Sequence, residues 1–209
     1  MRPAPASLWL HDRPLVLASG SATRKALLAA AGIPLVVDVA EIDERGLEAP
    51  LLSAHAGPDD IAGHLASAKA GAVCGRHPGC LVLGADQTLA LNGKLLHKPA
   101  SLGEAKSHLL ALSGHTHELH AAVSVWRSNA EIFRASTRAK LTMRCLDPSF
   151  ISIYLSSIGS TALASVGSYQ LEGMGIHLFE AIEGDQSTIL GLPLMPLLAF
   201  FRQIGCVAA

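Results

Sequence analysis

Three stretches of this 209-residue chain carry side chains whose types and spacing suit chemistry. The first is Ser19-Gly20-Ser21-Ala22-Thr23-Arg24-Lys25, small residues running into two cations. A helix starting at Ser21 would turn its free backbone N–H groups toward an anion, and the small residues let a phosphate approach. Arg24 and Lys25 add positive charge. The same stretch also reads as a plain Ser-capped turn, being neither a Walker A loop nor a G-x-G-x-x-G fingerprint. The second is Asp86, in Gly84-Ala85-Asp86-Gln87, set inside an apolar run. A carboxylate there is costly unless it is paired, metal-bound or at a cleft edge. The third is a scatter of charges: Glu41, Asp43, Glu44, Lys69 and Lys98. Each alone reads as a solvated surface charge, but carboxylates, cations and a phosphate turn together compose a metal-assisted phosphate site. His115-Thr116-His117 offers two imidazoles, yet no His/Cys set has zinc spacing, and a Gly-x-Ser-x-Gly elbow is absent.

The elements that would position these residues follow from pattern. Pro14 to Ser19 reads as a buried strand, residues 22–31 as an Ala/Leu-rich helix capped by Ser21 and stopped by Gly32, and Pro34 to Val39 as a second strand. Residues 46–58, with Gly, Pro, Ser and His, read as a loop. Pro58-Asp59-Asp60 opens a helix to about Cys74, with Lys69 on it. Cys80 to Leu91 is the strongest strand, closed by an Asn92-Gly93 turn. Ser101 and Glu104 form a capping box for a helix to about Leu112. Residues 116–127 and 131–144 form a long hairpin, and Asp147-Pro148 starts a helix to about Ser156. Gly167 to Gly175 is a glycine-punctuated loop, 176–183 a strand and Leu194 to Ile204 a closing helix. Strands alternating with helices, with hairpins mixed in, predict one α/β domain over residues 1–209 with a mixed sheet.

Composition narrows the function. The chain is 50% apolar and only 16% charged, which excludes an acidic or basic disordered chain. Its 16 Lys+Arg against 17 Asp+Glu leave a net charge of −1, so a broad nucleic-acid surface is not expected. Four cysteines without a Cys-x-x-Cys pair suit a reducing, cytoplasmic setting. The apolar run Ile189 to Phe201 is too short to span a bilayer and is broken by Pro193 and Pro196, and the N-terminal runs do not form a signal peptide.

The motifs, taken in order, resemble one family. Leu17-Ala18-Ser19-Gly20-Ser21-Ala22-Thr23-Arg24-Lys25 is similar to the N-terminal signature of Maf-like nucleotide pyrophosphatases. The resemblance continues through Glu41-Ile42-Asp43-Glu44, Lys69-Ala70, Gly84-Ala85-Asp86-Gln87, Lys98-Pro99, Leu112-Ser113-Gly114 with His117, Tyr169-Gln170-Leu171-Glu172-Gly173 and Gly191-Leu192-Pro193-Leu194, covering about residues 15–204. It implies a single elongated α/β unit with a mixed sheet and a central cleft, akin to inosine triphosphate pyrophosphatases. It implies hydrolysis of a nucleoside triphosphate between the α and β phosphates. By position, Asp86 is then the general base and a metal ligand, and Glu44 its carboxylate partner around Mg²⁺ or Mn²⁺. Arg24, Lys69 and Lys98 become the phosphate-binding cations, with Ser21 at the phosphate turn.

Base preference rests on Thr23, Gln87 and Glu172. Gln87 after the aspartate, and Glu172 before Gly173, resemble the branch acting on 7-methyl-GTP, where a carboxylate suits a guanine edge and a cationic base. Thr23 departs from both branches, standing where this one commonly has an aromatic residue and the pyrimidine branch a second arginine. The alternatives are a pyrimidine (dTTP, UTP or CTP) pyrophosphatase and a non-catalytic nucleotide-binding regulator of cell division. The resemblance further implies a nucleotide partner, a monomer or homodimer, and a housecleaning role.

Overall fold

The computed structural model describes residues 8–209; residues 1–7 of the expected 1–209 domain, and the first part of the N-terminal leader reading, lie outside the described residues. The chain opens with β1 (Leu15–Leu17), α1 (Ala22–Ala30) and β2 (Leu35–Val37), with β1 parallel to β2. Next come α2 (Glu44–Ser53), α3 (Pro58–Cys74), β3 (Val82–Leu91) and the short β4 (Lys94–Leu96), antiparallel to β3 across the Asn92-Gly93 turn. Then follow α4 (Leu102–Leu112), the long hairpin β5 (Thr116–Arg127) and β6 (Ala130–Met143), and α5 (Pro148–Ile158). Three short 3₁₀ turns lead to β7 (Phe179–Glu183), α6 (Gln186–Ile189) and α7 (Leu194–Gln203). The sheet runs β2-β1-β3-β5-β6-β7 with β4 beside β3; β1 pairs parallel with β2 and β3, and the remaining ladders are antiparallel. This is the expected α/β class with a mixed sheet. Among the described residues, no helix is long and apolar enough to cross a membrane.

Alternation along β3 decides what sits where, because successive side chains point to opposite faces. Leu83 and Ala85 join Leu15, Leu17, Leu28, Leu197 and Phe201 in one core. Val82 packs with Val16, Ala70 and Val73 on the other face, under α3. Gly84 and Asp86 share that second face. A third core lies farther along the sheet, where Leu89, Leu119 and Leu141 meet Leu109, Leu112, Ile151 and Tyr154.

Two expectations need correction. Residues 46–58 are not all loop: α2 runs Glu44–Ser53. Asp43 caps it by accepting from the Gly46 N–H at 3.0 Å, and Glu44 sits in the first turn where a carboxylate favours the helix dipole. Gly46 and Pro50 hide this helix from a propensity reading, and packing against α3 overrides them. The last strand starts at Phe179 rather than 176, because Met174–Leu178 coil into a 3₁₀ turn first.

Candidate functional site

A cleft of about 790 Å³ brings together residues from distant parts of the chain. The nine residues that the family resemblance assigns to catalysis or base choice line it: Ser21, Thr23, Arg24, Glu44, Lys69, Asp86, Gln87, Lys98 and Glu172; of the other charges named from sequence, Asp43 lines it and Lys25 and Glu41 do not. Its walls are the β1–α1 turn, the N-terminal half of α2, the middle of β3, the exit of β4 and residues 164–172.

The centre is Asp86, only 7% exposed. Lys69, from α3, donates to Asp86 Oδ1 at 2.5 Å and pairs with Glu44 Oε1 at 2.9 Å. One ammonium therefore joins two carboxylates from separate elements; it offsets the cost of burying Asp86, while the Glu44 side chain stays half exposed. The approach of α3 that permits this depends on Gly84. A Cβ there would meet the Ala66 carbonyl oxygen at 1.9 Å and the Ala70 nitrogen at 2.8 Å. Gly84 thus seats the helix against the strand, two residues before Asp86 and on the same face.

Arg24 is held as firmly. Nε donates to the Gly191 carbonyl at 2.8 Å, and Nη1 to Ser19 Oγ at 3.0 Å and the Ala85 carbonyl at 2.9 Å. Ser21 caps α1 by accepting from the Arg24 N–H. Burial lowers the pKa of the guanidinium, and the charges of Asp86 and Glu44 counter that effect. Gln87 Nε2 donates to the Thr188 and Ile189 carbonyls, both at 3.0 Å. Its amide donors are thus directed at the end of α6, next to Gly191. Gly191 has φ +84°, and a Cβ on it would sit 3.3 Å from both Arg24 Nη2 and Gln87 Oε1. Asp185 anchors α6 by accepting from the Ser187 and Thr188 backbone N–H groups and from both hydroxyls.

Lys98 and Glu172 are exposed on separate stretches of the cleft wall, and Thr23 is half-buried at the start of α1. Glu48 gives no sequence signal, because Gly46 and Pro50 mask the helix that carries it. It lies one turn on from Glu44, 5% exposed, with Arg45 at 3.5 Å and His97 at 3.8 Å. His97 was missed too, though it adjoins Lys98. His115 and His117 part company: His115 is exposed and bonds the Ser113 carbonyl, while His117 is fully buried against Tyr169. Neither lines the cleft.

The donor set suits a divalent cation that arrives with a phosphate ligand. Lys69 occupies one oxygen of Asp86 and one of Glu44, and the second oxygen of each has no protein partner among the described residues. No group of three or more His, Cys, Asp or Glu among the described residues could hold a metal by itself. Mg²⁺ commonly takes one or two carboxylates, keeps several waters and completes its shell with substrate phosphates, so two free carboxylate oxygens fit it.

Residues 14–204 match the protein family described as Maf-like protein. A protein of Mesorhizobium japonicum named 7-methyl-GTP pyrophosphatase is 52% identical over 193 residues, spanning 92% of this chain and 97% of its own. A Rhodopseudomonas palustris protein named nucleoside triphosphate pyrophosphatase is 52% identical over 196 residues, spanning 94% and 96%. A solved structure from Mycobacterium abscessus, described as nucleoside-triphosphatase / dITP/XTP pyrophosphatase, is 15% identical, with a TM-score of 0.43 over 92% of this chain and 95% of its own.

Proposed function

The chain belongs to the Maf-like protein family, and from that premise we propose that it is a nucleoside triphosphate pyrophosphatase, cleaving the α–β phosphoanhydride to a monophosphate and pyrophosphate. The observation that carries the reading is Lys69 joining Asp86 to Glu44 inside a cleft that also holds Arg24 and Lys98. A non-catalytic binder has no need of a buried carboxylate beside its cations.

A triphosphate repels any incoming oxygen nucleophile, so catalysis here is chiefly charge neutralisation and alignment. Arg24, fixed by three hydrogen bonds, presents a rigid guanidinium to the phosphates. Lys69 and Lys98 add point charges from two other walls. Asp86 accepts a hydrogen bond from a water and aims it at the α phosphorus, taking its proton as the new P–O bond forms. The α–β bridge oxygen leaves with the pyrophosphate, its charge stabilised by the same cations. Asp86 and Glu44 would hold Mg²⁺ or Mn²⁺ through their free oxygens; when bound, the ion supplies Lewis-acid polarisation of phosphate oxygens and lowers the pKa of bound water.

The finer reading is a guanine nucleotide such as 7-methyl-GTP. Glu172 supports it: its carboxylate stands exposed on the cleft wall, where it can accept from a guanine edge and favour a cationic methylated base. The name of the Mesorhizobium relative supports the same choice. The reading carries with it a cytoplasmic enzyme of free nucleotides, monomeric or dimeric, serving housecleaning.

A nucleotide panel with pyrophosphate release as readout, with and without Mg²⁺ or Mn²⁺, tests the activity, the base preference and the metal dependence. Release from 7-methyl-GTP above GTP, UTP, CTP and dTTP is expected. Release favouring the pyrimidines would move the chain to the other branch, and tight binding without release would make it a regulator.

A further inference from the structure

We propose that His117 is a positioning residue for base selection, holding the cleft wall 164–172 in place through Tyr169. This rests on the reading of Glu172 as the group facing the base. That wall belongs to no long helix or strand; it holds one short 3₁₀ turn, Val166–Ser168, and otherwise irregular chain, so contacts from outside it must set its pose. Tyr169 is its pin. The phenol is 5% exposed and meets His117 Nε2 at 2.7 Å, reaching a residue on β5 that is 0% exposed. Phe179 closes over both rings, edge-on to Tyr169 at 4.8 Å and tilted to His117 at 6.0 Å.

The chain is wound around this phenol. Gly167 and Ser168 are both left-handed, at φ +76° and +62°. A Cβ on Gly167 would strike Tyr169 Cε1 at 2.6 Å and Leu89 Cδ1 at 2.7 Å. Ser165 Oγ donates to the Tyr169 carbonyl at 2.6 Å, and Tyr154 Oη to the Ser168 carbonyl at 3.3 Å. Gln170, Leu171 and Glu172, the next three residues, line the cleft. The pose of Tyr169 is therefore inherited directly by Glu172.

The imidazole has no other polar task. Among the described residues its Nδ1 is buried without a partner, and Tyr169 is its one hydrogen bond. A leucine would fill the same space without leaving a polar atom unmet. Burial keeps the ring neutral at physiological pH, so the tie holds without a charge.

The test deletes the same bond from either side, with His117→Phe and Tyr169→Phe in the full chain. It compares kcat and KM for 7-methyl-GTP, GTP and UTP, and follows amide hydrogen exchange. For His117→Phe, KM for the preferred nucleotide is expected to rise about tenfold, the loss of one buried hydrogen bond. Its lead over the other bases should shrink, with kcat within about twofold. Amides 165–172 should exchange faster while β3 around Asp86 stays protected. Tyr169→Phe should loosen the same amides, which covers the case where His117→Phe fails to fold. Unchanged base preference or unchanged exchange at 165–172 overturns the proposal. So does a joint fall of kcat and kcat/KM with β3 deprotected, which marks general destabilisation. If the wild-type protein releases no pyrophosphate, or shows no base preference, the activity reading is what fails, and exchange at 165–172 alone decides the positioning role.

Discussion

Replacing Gly84 by alanine adds one methyl group where the structure has no room for it. The new Cβ would lie 1.9 Å from the Ala66 carbonyl oxygen, whereas ordinary contact begins near 3.4 Å. The atom in the way is helix backbone, so no side chain can swing aside. Relief requires α3 to retreat by about 1.5 Å, a core overpacking at the upper end of the usual cost, about 3 kcal/mol. For a chain of this length that lowers the thermal midpoint by roughly 6–12 °C. The retreat also carries Lys69 off Asp86. Their 2.5 Å contact, lengthened by the same amount, passes out of hydrogen-bond range. Pyrophosphate release should therefore fall even well below the lowered midpoint, where the protein is still folded. Thermal unfolding by circular dichroism, and initial rates at a temperature where both proteins are folded, separate the two effects. A variant with a wild-type midpoint and rate would refute the claim that Gly84 seats the helix. A lowered midpoint with a full rate would refute the link from Gly84 to the site.

Other outcomes follow from the same geometry. Asp86→Asn should keep the fold and lose about 10²–10⁴-fold in kcat, read by pyrophosphate release with circular dichroism as control. Lys69→Met strands the buried Asp86 carboxylate, Glu44 being open to solvent, and should destabilise by about 3 kcal/mol, but clearly less when Asp86→Asn is already present; denaturant unfolding of the four proteins measures the coupling. Glu172→Gln should leave the midpoint unchanged, because the side chain is exposed, and lower the preference for 7-methyl-GTP over UTP in competition assays. Burial pushes His117 down to about 4, below its unfolded value near 6.5, so the unfolded chain binds the proton first. Stability should therefore fall as pH drops from about 6.5 toward 4, and His117→Phe should flatten that limb in pH-dependent unfolding. Arg76 and His77 hold the Asp38 carboxyl down to about 2; that contribution is present above about pH 4 and is lost as pH falls through about 2, more weakly in Asp38→Asn.

What the sequence revealed depended on whether the signal was local. Ser21 and Ser101 as N-caps and the Asn92-Gly93 turn are short-range chemistry and stand in the structure as read, with Glu104 reaching back to the Ala100 N–H rather than to that of Ser101. Asp86 stood out because a charge interrupted an apolar strand, and Lys69 because it fell in a motif. Their direct pairing was not legible, since it depends on the absence of a side chain at Gly84 and on a helix seventeen residues upstream. Glu48 was lost with α2, where Gly46 and Pro50 masked a helix set by its Asp43 cap and its packing on α3. The Gln87 amide, a specificity position by resemblance, donates to the Thr188 and Ile189 carbonyls, a hundred residues away, a tie with no local sequence signal. The tie from His117 to Tyr169 likewise spans 52 residues, and only the folded sheet brings the two together.

Lys69 is matched to two carboxylates, which makes its ammonium a poor trap for small anions. A chloride or a free phosphate must pull the ammonium away from partners at 2.5 and 2.9 Å, and it brings too little charge to do so. On the proposed mechanism a polyphosphate carrying its own cation would trade places instead, the cation facing the carboxylates as the phosphates face the lysine. Lys69 would thereby answer to a paired exchange of charge more than to a lone small anion.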